Sequence, residues 1–339
     1  MTVRRDPVDL LVVGALGRSI ALDLKALTSR DRSATGALWS RARITSTDRP
    51  DSTAVMARTD APLANDEAVA IAEVTLRAIE AAQGTLLMLH ACALADSTGA
   101  AVVFVGPSGR GKTTAAATLG RSYGYLTDET TGITPDGRIL PYEKPLLIRT
   151  AEGMPKRPFS PDELGLLPAP AGPRLAALVI LDRDPYLLGP ARVELLDLAD
   201  AIPLLVPETS ALPALENGIP VLARLAASIG GVHRVRYRDA EQLTAITHTL
   251  LTTPPAPDTS WQEVPRRNAV TDGQRVIVLA AGTVHVLDGI AATIWHHPHL
   301  RGDVLDAVVT DEHGAVADAS ALVTAAATAL VALGLREPE

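Results

Sequence analysis

Hydrophobic positions in the first sixty-five residues come in short bursts, Asp9 to Val13 and Arg41 to Thr45, divided by loops of Ser, Thr, Asp and Arg. That spacing predicts a small N-terminal lobe of short strands. From Asn65 to Ala82 the apolar residues recur at helical spacing, with Asn65 or Asp66 as the cap, and the run passes through Gly84 into a strand, Thr85 to Leu94. A turn at Asp96-Ser97-Thr98-Gly99 delivers a second apolar strand, Ala101 to Val105. A helix over Thr113 to Ser122 ends near Gly124, and Tyr125-Leu126-Thr127 is a buried strand ending at Asp128-Glu129. Strand, loop, helix and strand in this order predict a parallel α/β unit. Pro141 to Pro145 opens an extended segment, Leu175 to Leu181 is an apolar strand ending at Asp182-Arg183-Asp184, and Pro203 to Ile229 reads as mainly helical despite Pro213 and Pro220.

The periodicity breaks at Thr252 to Asp258, where Pro254, Pro255 and Pro257 among small polar residues sustain neither ladder nor helix. Beyond it come a short strand near Glu263 and two alternating strands, Gln274 to Leu279 and Thr283 to Leu287, meeting around Gly282. Helices follow near Ile290 to Trp295, Val304 to Val309 and Ala319 to Leu333. Three strands and then three helices predict a small winged-helix module. The expected organisation is an N-terminal lobe over 1–80, an α/β domain over 81–250, a Pro-rich linker over 251–262 and an α+β domain over 263–339.

Composition narrows the function classes. With 339 residues, 47% apolar and 21% charged, the chain has enough hydrophobic sequence for two or three packed cores. A formal charge of -8 argues against a sequence-independent nucleic-acid binder, and the pair Arg266-Arg267 does not change that. The single cysteine, Cys92, excludes an internal disulfide and a cysteine-based zinc site, and fits a reducing compartment, so the expected location is the cytoplasm. Two arginines lie within Met1 to Pro7, but the apolar stretch after them is broken at Gly14, Gly17 and Arg18, too short for a signal segment. No run approaches the roughly twenty apolar residues of a membrane span.

The most informative segment is Gly106-Pro107-Ser108-Gly109-Arg110-Gly111-Lys112-Thr113, between the apolar strand and the Ala-rich helix that begins with Thr113-Thr114. Glycines let the backbone turn tightly, so that successive N–H groups and the helix N-terminus point at phosphate oxygens. Lys112 supplies a charge to the β- and γ-phosphates and Thr113 a hydroxyl to Mg²⁺, so the expected ligands are ATP and Mg²⁺, held by Gly106, Ser108, Gly109, Arg110, Gly111, Lys112, Thr113 and Thr114. Such a site needs an acidic element at the carboxyl end of a nearby strand. Asp128 and Glu129 meet that requirement, and Asp182 is a rival.

His90-Ala91, then Gly106 to Thr113, then Leu126-Thr127-Asp128-Glu129 resembles the nucleotide-binding core of HPr kinases over about residues 80–240. In that family a His-Gly pair, a Gly-x-Ser-Gly-x-Gly-Lys-Ser loop and an Asp-Asp pair occur in the same order. The resemblance implies that Asp128 is the general base for an acceptor hydroxyl, that His90 orients or tunes it, and that Glu129 or Thr113 helps bind Mg²⁺. Here Ala91, Glu129 and Thr113 replace the family's Gly, Asp and Ser. Lys144, in Pro-Tyr-x-Lys-Pro, resembles a position common among HPr-kinase-like proteins of peptide-modifying systems, where it reaches phosphate or substrate; the other reading is a solvated loop lysine. The family also implies a homo-oligomer.

Residues 263–337 resemble the PqqD-like family through Val264-Pro265-Arg266, Asp272-Gly273, Gly282 to Asp288, Ala291 to Trp295 and Leu333-Gly334-Leu335. That family implies recognition of the leader peptide of a ribosomally made precursor, taken as an extra strand on an exposed sheet edge. His296, His297 and His299 lack the spacing of a metal set, and Ile294 and Trp295 read as core anchors.

Together these readings predict an ATP-dependent kinase that phosphorylates a hydroxyl of a precursor peptide, with other peptide-modifying enzymes as further partners and neither nucleic acid nor membrane among them. Two competing readings are a nucleotide-gated peptide adaptor without kinase activity and a kinase of a small hydroxylated metabolite or free amino acid.

Overall fold

The computed structural model describes residues 9–45, 49–151, 153–253, 255–314 and 318–338. Met1 to Pro7, and Pro254 of the expected linker, lie outside the described residues. The fold is mixed α/β with several sheets.

In the N-terminal lobe, β1 (Leu10–Ala15) and β2 (Arg18–Asp23) form a hairpin whose two turn residues, Leu16 and Gly17, have φ of 53° and 71°. Positive φ at both positions matches the turn to the twist of the strands. Helix α1 (Ser29–Leu38) is capped by the Thr28 hydroxyl, which accepts from Asp31 N at 3.2 Å, and β3 (Ser52–Val55) lies parallel to β2. The strand expected over Arg41 to Thr45 is absent: α1 runs into turns around the fully buried Trp39, and only Arg43 bridges to Val13. Helix α2 (Leu63–Ala82) covers the sheet with Ala70, Ile71, Val74 and Ala78. It starts two residues before Asn65, with Pro62 at the cap. Asp66 holds Arg58 and Thr59 instead of capping.

The central sheet is built from β4 (Leu87–Ala95), β5 (Ala100–Val105), β6 (Gly124–Thr127), β7 (Thr130–Ile133), β8 (Ile139–Leu140), β11 (Arg174–Arg183), β12 (Arg192–Leu196), β13 (Thr209–Ser210) and β14 (Val232–Tyr237); β9 (Leu146–Arg149) and β10 (Lys156–Phe159) pair separately. Its order is β12-β14-β11-β5-β4-β7-β8, with β6 and β13 also paired to β4. Strands β5, β11 and β14 are parallel, while β4 runs against β5, β6 and β7. Helix α3 (Lys112–Leu119) therefore connects β5 to a strand of the same direction, as expected, but β4 lies between them and the parallel neighbour of β5 is β11.

Alternation sorts the side chains of these strands onto two faces. Val102, Phe104, Val179, Leu181 and Val235 pack under α3 and α6 (Leu243–Thr252), whereas Val103, Val105, Leu178 and Ile180 pack under α4 (Leu198–Leu205) and α5 (Gly218–Ser228). The segment expected to be mainly helical is thus split. Between the two helices Glu208 ends a short 3₁₀ turn and Thr209-Ser210 joins β4. Pro220 is accommodated because it sits in the first turn of α5, where an N–H has no intrahelical partner.

The C-terminal lobe holds a four-stranded antiparallel meander, β15 (Gln262–Glu263), β16 (Ala269–Thr271), β17 (Val276–Ala280) and β18 (Thr283–Leu287), followed by α7 (Gly289–His296), α8 (Gly302–His313) and α9 (Ala319–Ala332). One strand more than expected is present, the three-residue β16. Ala269, Val276, Val278 and Leu287 face these helices, Ile294 and Trp295 being core residues as expected. Val270 and Ile277 face the other way, with Leu279 and Val284, and pack with α4 and α5. The expected linker is not a free spacer: Asp258 N donates to Ala227 O at 3.0 Å and Trp261 packs on the same core. Among the described residues no helix is long and apolar enough to cross a membrane.

Candidate active site at the end of strand β5

The chain leaves β5 at Gly106 and turns through Gly109 and Gly111, whose φ values of 85° and 94° favour glycine. A Cβ on Gly111 would also lie 2.6 Å from the Tyr237 hydroxyl, which donates to Arg110 O from beneath. The crest at Ser108, Gly109 and Arg110 is exposed, Thr113 is half-buried and Thr114 exposed at the start of α3. Lys112 is buried, its Nζ donating to the Gly106 carbonyl and to Pro107 O at 3.1 Å. The ammonium is thus folded back onto the carbonyls at the start of the glycine-rich turn, and a turn of this kind at a helix N-terminus suits a chain of phosphates. Burial lowers the Lys112 pKa below the ordinary lysine value, an effect opposed by Cys92, Glu208, Glu129 and Asp128.

The acidic side of the site follows from register. Ala91 pairs with Val105, so the glycine-rich loop departs from β5 beside His90, where β13 takes over as the neighbour of β4. Ala91 N donates to Glu129 O at 3.0 Å, which draws the turn between β6 and β7 to the same point. His90 lies on the face of Cys92, and its Nδ1 is 3.2 Å from Glu208 Oε2. His90 is therefore joined to Glu208, while Asp128 has other partners. Asp128 is 4% exposed and takes two bonds on Oδ1, from the Tyr125 hydroxyl at 3.1 Å and from Lys144 Nζ at 2.8 Å. Its Oδ2 takes none from the described residues.

Lys144 is not a solvated loop lysine. It is 1% exposed and also pairs with Glu129 Oε2 at 3.1 Å. Burial opposes its charge, yet Asp128 and Glu129 outweigh burial and hold the ammonium above the ordinary lysine value. Burial pushes the Tyr125 and Cys92 groups upward, so both remain protonated at neutral pH. The carboxylate of Glu129 is about 40% exposed at the mouth of the site, and with the Thr113 hydroxyl it offers the oxygen donors that Mg²⁺ prefers.

Asp182 is the penultimate residue of β11, the strand beside β5, and its carboxylate lies 3.8 Å from Arg110 Nη1, which is a surface pair. Asp128, Glu129 and Glu208 are the carboxylates whose charges act on Lys112. The C-terminal histidines disperse to separate partners, His297 to Glu312 at 3.7 Å and His296 to Thr271 at 3.4 Å.

Sequence reasoning missed Glu208, Tyr125 and Tyr237. Glu208 lies 118 positions from His90 and carries no motif. Tyr125 had the nearest thing to a signal, since it sits three residues before Asp128 on a strand that is buried throughout. No protein-family model and no curated protein matches this chain.

Proposed function

We propose that the chain is an ATP-dependent kinase with an HPr-kinase-like centre, and that it phosphorylates a hydroxyl of a precursor peptide held by a PqqD-like C-terminal lobe. The observation that carries this reading is the gathering of Lys112, Asp128, Glu129, Glu208 and His90 around the mouth of the phosphate loop, although they come from four separate segments. A structural ion-pair cluster would not need a glycine cradle beside it.

The roles follow from the contacts. The backbone N–H groups of Ser108 to Lys112 bind phosphate oxygens, and the Lys112 ammonium offsets charge developing on the transferred group. Bound Mg²⁺, held by Thr113 and Glu129, would neutralise phosphate charge. Asp128 Oδ2 accepts the proton of the acceptor hydroxyl as its oxygen forms a bond to the γ-phosphorus and the bond to the ADP oxygen breaks. Lys144 and Tyr125 fix the carboxylate through Oδ1, so that the free oxygen is aimed without a loss of rotamer freedom at each turnover. His90 is positioned by Glu208 rather than by Asp128.

In the C-terminal lobe, both faces of the four-stranded sheet are covered, while β18 pairs on one side only among the described residues. An extended leader would add beside β18, and tethering it there raises the local concentration of the acceptor. Mass spectrometry of candidate precursor peptides incubated with the full chain and ATP-Mg²⁺ tests this reading. A gain of one phosphoryl group is expected, and Asp128→Asn should lower the rate about 10²–10⁴-fold while ATP still binds. Full transfer by that variant would show that Asp128 is not the base.

A further inference from the structure

The two sides of the phosphate loop differ in charge. On the β4 side stand Asp128, Glu129 and Glu208. On the β11 and β14 side stand Arg110, Arg183, Arg236 and Arg238. Three of these four are matched by carboxylates: Arg110 lies 3.8 Å from Asp182, Arg236 is 2.7 Å from Asp184, and Arg238 is 2.7 Å from Asp239. Arg183 alone has no carboxylate partner among the described residues.

Its guanidinium is nevertheless held in place. Arg183 Nε donates to Arg238 O at 3.1 Å, and its Cδ stem lies 3.7 Å from the position a Cβ on Gly111 would occupy. Arg183 shares a face with Val179 and Leu181, the face covered by α3, so it stands beside the start of the loop helix rather than behind the sheet. The backbone around it is tied into a wall. Asp184 N donates to Tyr237 O at 2.8 Å and Gln242 Nε2 to Gly189 O at 3.0 Å, which joins the loop after β11 to the one after β14.

A nucleoside triphosphate is an elongated molecule with its reacting phosphate at one end. Acidic groups that hold a metal and take a proton fix that end on the β4 side, so the nucleoside end must cross the strand ends toward β11 and β14. We infer that Arg183 forms the nucleobase site, its guanidinium plane stacking on the base of the bound nucleotide. This rests on the triphosphate reading above and deepens it by giving the base a residue. A planar, weakly hydrated cation with one edge already hydrogen-bonded is suited to stacking, because little rotamer freedom is left to lose.

The test compares two ligands that share phosphates and differ in the base: ATP-Mg²⁺ and tripolyphosphate-Mg²⁺, titrated calorimetrically into the full chain, Arg183→Ala and Arg183→Lys. Arg183→Ala should weaken ATP about tenfold and tripolyphosphate less than about twofold. Arg183→Lys should not restore ATP affinity, since it returns the charge without the plane. Equal losses for both ligands would make Arg183 a phosphate contact, and no loss, or full rescue by lysine, would equally overturn the stacking role. Arg183 is exposed and makes a single side-chain bond, so an unchanged circular dichroism spectrum is expected for both variants. If the unaltered chain binds tripolyphosphate as tightly as ATP, this inference fails alone. If it binds neither, the triphosphate reading fails and takes this one with it.

Discussion

Replacing Lys144 by methionine tests the electrostatic logic of the site without touching the glycine-rich loop. The substitution keeps an unbranched stem of similar length and removes only the ammonium. What it leaves behind decides the outcome: the Asp128 side chain is 3% exposed and loses the partner 2.8 Å away, whereas Glu129, 40% exposed, can turn to water. Removing one member of a buried pair costs about 3–5 kcal/mol, because the other charge stays desolvated. At about 2–4 °C per kcal/mol for a lobe of this size, the melting temperature should fall by about 6–20 °C.

The pH dependence has a definite sign. The folded-state pKa of Lys144 is raised above 10.5, so its contribution is full below that value and is lost only as the solution becomes alkaline beyond it. Thermal unfolding at pH 7–8 therefore samples the plateau. A Lys144→Met/Asp128→Asn pair closes a double-mutant cycle and should recover most of the loss, since neither charge then remains buried. A single variant that melts within about 2 °C of the unaltered chain at pH 7.5 would refute the reasoning, as would a double variant no better than the single one.

Two further substitutions probe the scaffold. Gly111→Ala places a Cβ 2.6 Å from the Tyr237 hydroxyl at a φ of 94°; the backbone strain alone costs about 1–2 kcal/mol, and calorimetry should show ATP affinity reduced at least about tenfold, partly regained when Tyr237→Phe removes the clashing oxygen. Arg275→Ala cuts the bidentate pair with Asp197 at 2.9 and 3.0 Å and the stacking on Trp261 at 5.0 Å; because both partners of the pair are partly exposed, global stability should change by less than about 1 kcal/mol. Limited proteolysis between residues 253 and 262 should nonetheless quicken, and an unchanged cleavage rate would mean that Arg275 does not hold the lobes together.

Periodicity and punctuation were enough to locate most elements near the site. The glycine-rich turn, α3, β6 and β11 were legible because each joins a local pattern to a local cause: glycine at positive φ, an apolar run, a terminal acid. Partners were less legible. That β4 separates β5 from β6 depends on pairing between strands whose alternation looks the same in either arrangement. The burial of Lys144 was illegible for a different reason. A lysine between two prolines has the composition of a surface loop, and only the distant turn that brings Asp128 and Glu129 to it makes burial affordable. Glu208 was hidden by the same logic, since a carboxylate after a proline-broken helix has no local mark of function. Arg41 to Thr45 failed as a strand because Trp39, one of the few aromatic residues of the chain, demanded burial and bent the backbone into turns.

The arrangement of the C-terminal sheet limits how the proposed peptide can reach the site. One face is closed by α7, α8 and α9. The other is closed by α4 and α5 through Val270, Ile277, Leu279 and Val284, so side-chain docking on either face would require the lobes to part. An added strand beside β18 requires no such opening, because it uses the edge of β18 that no strand pairs among the described residues. Helix α4 then acquires a second significance. It begins at Asp197, which caps the helix through Ala199 N and receives Arg275 from the C-terminal hairpin, and it runs on through Val206 and Pro207 to Glu208, the partner of His90. The element that seats the C-terminal lobe is thus continuous with the one that supplies a carboxylate to the candidate site. An adaptor that merely stored peptide would have no use for that continuity, whereas a kinase whose acceptor arrives tethered needs the distance between edge and site held constant.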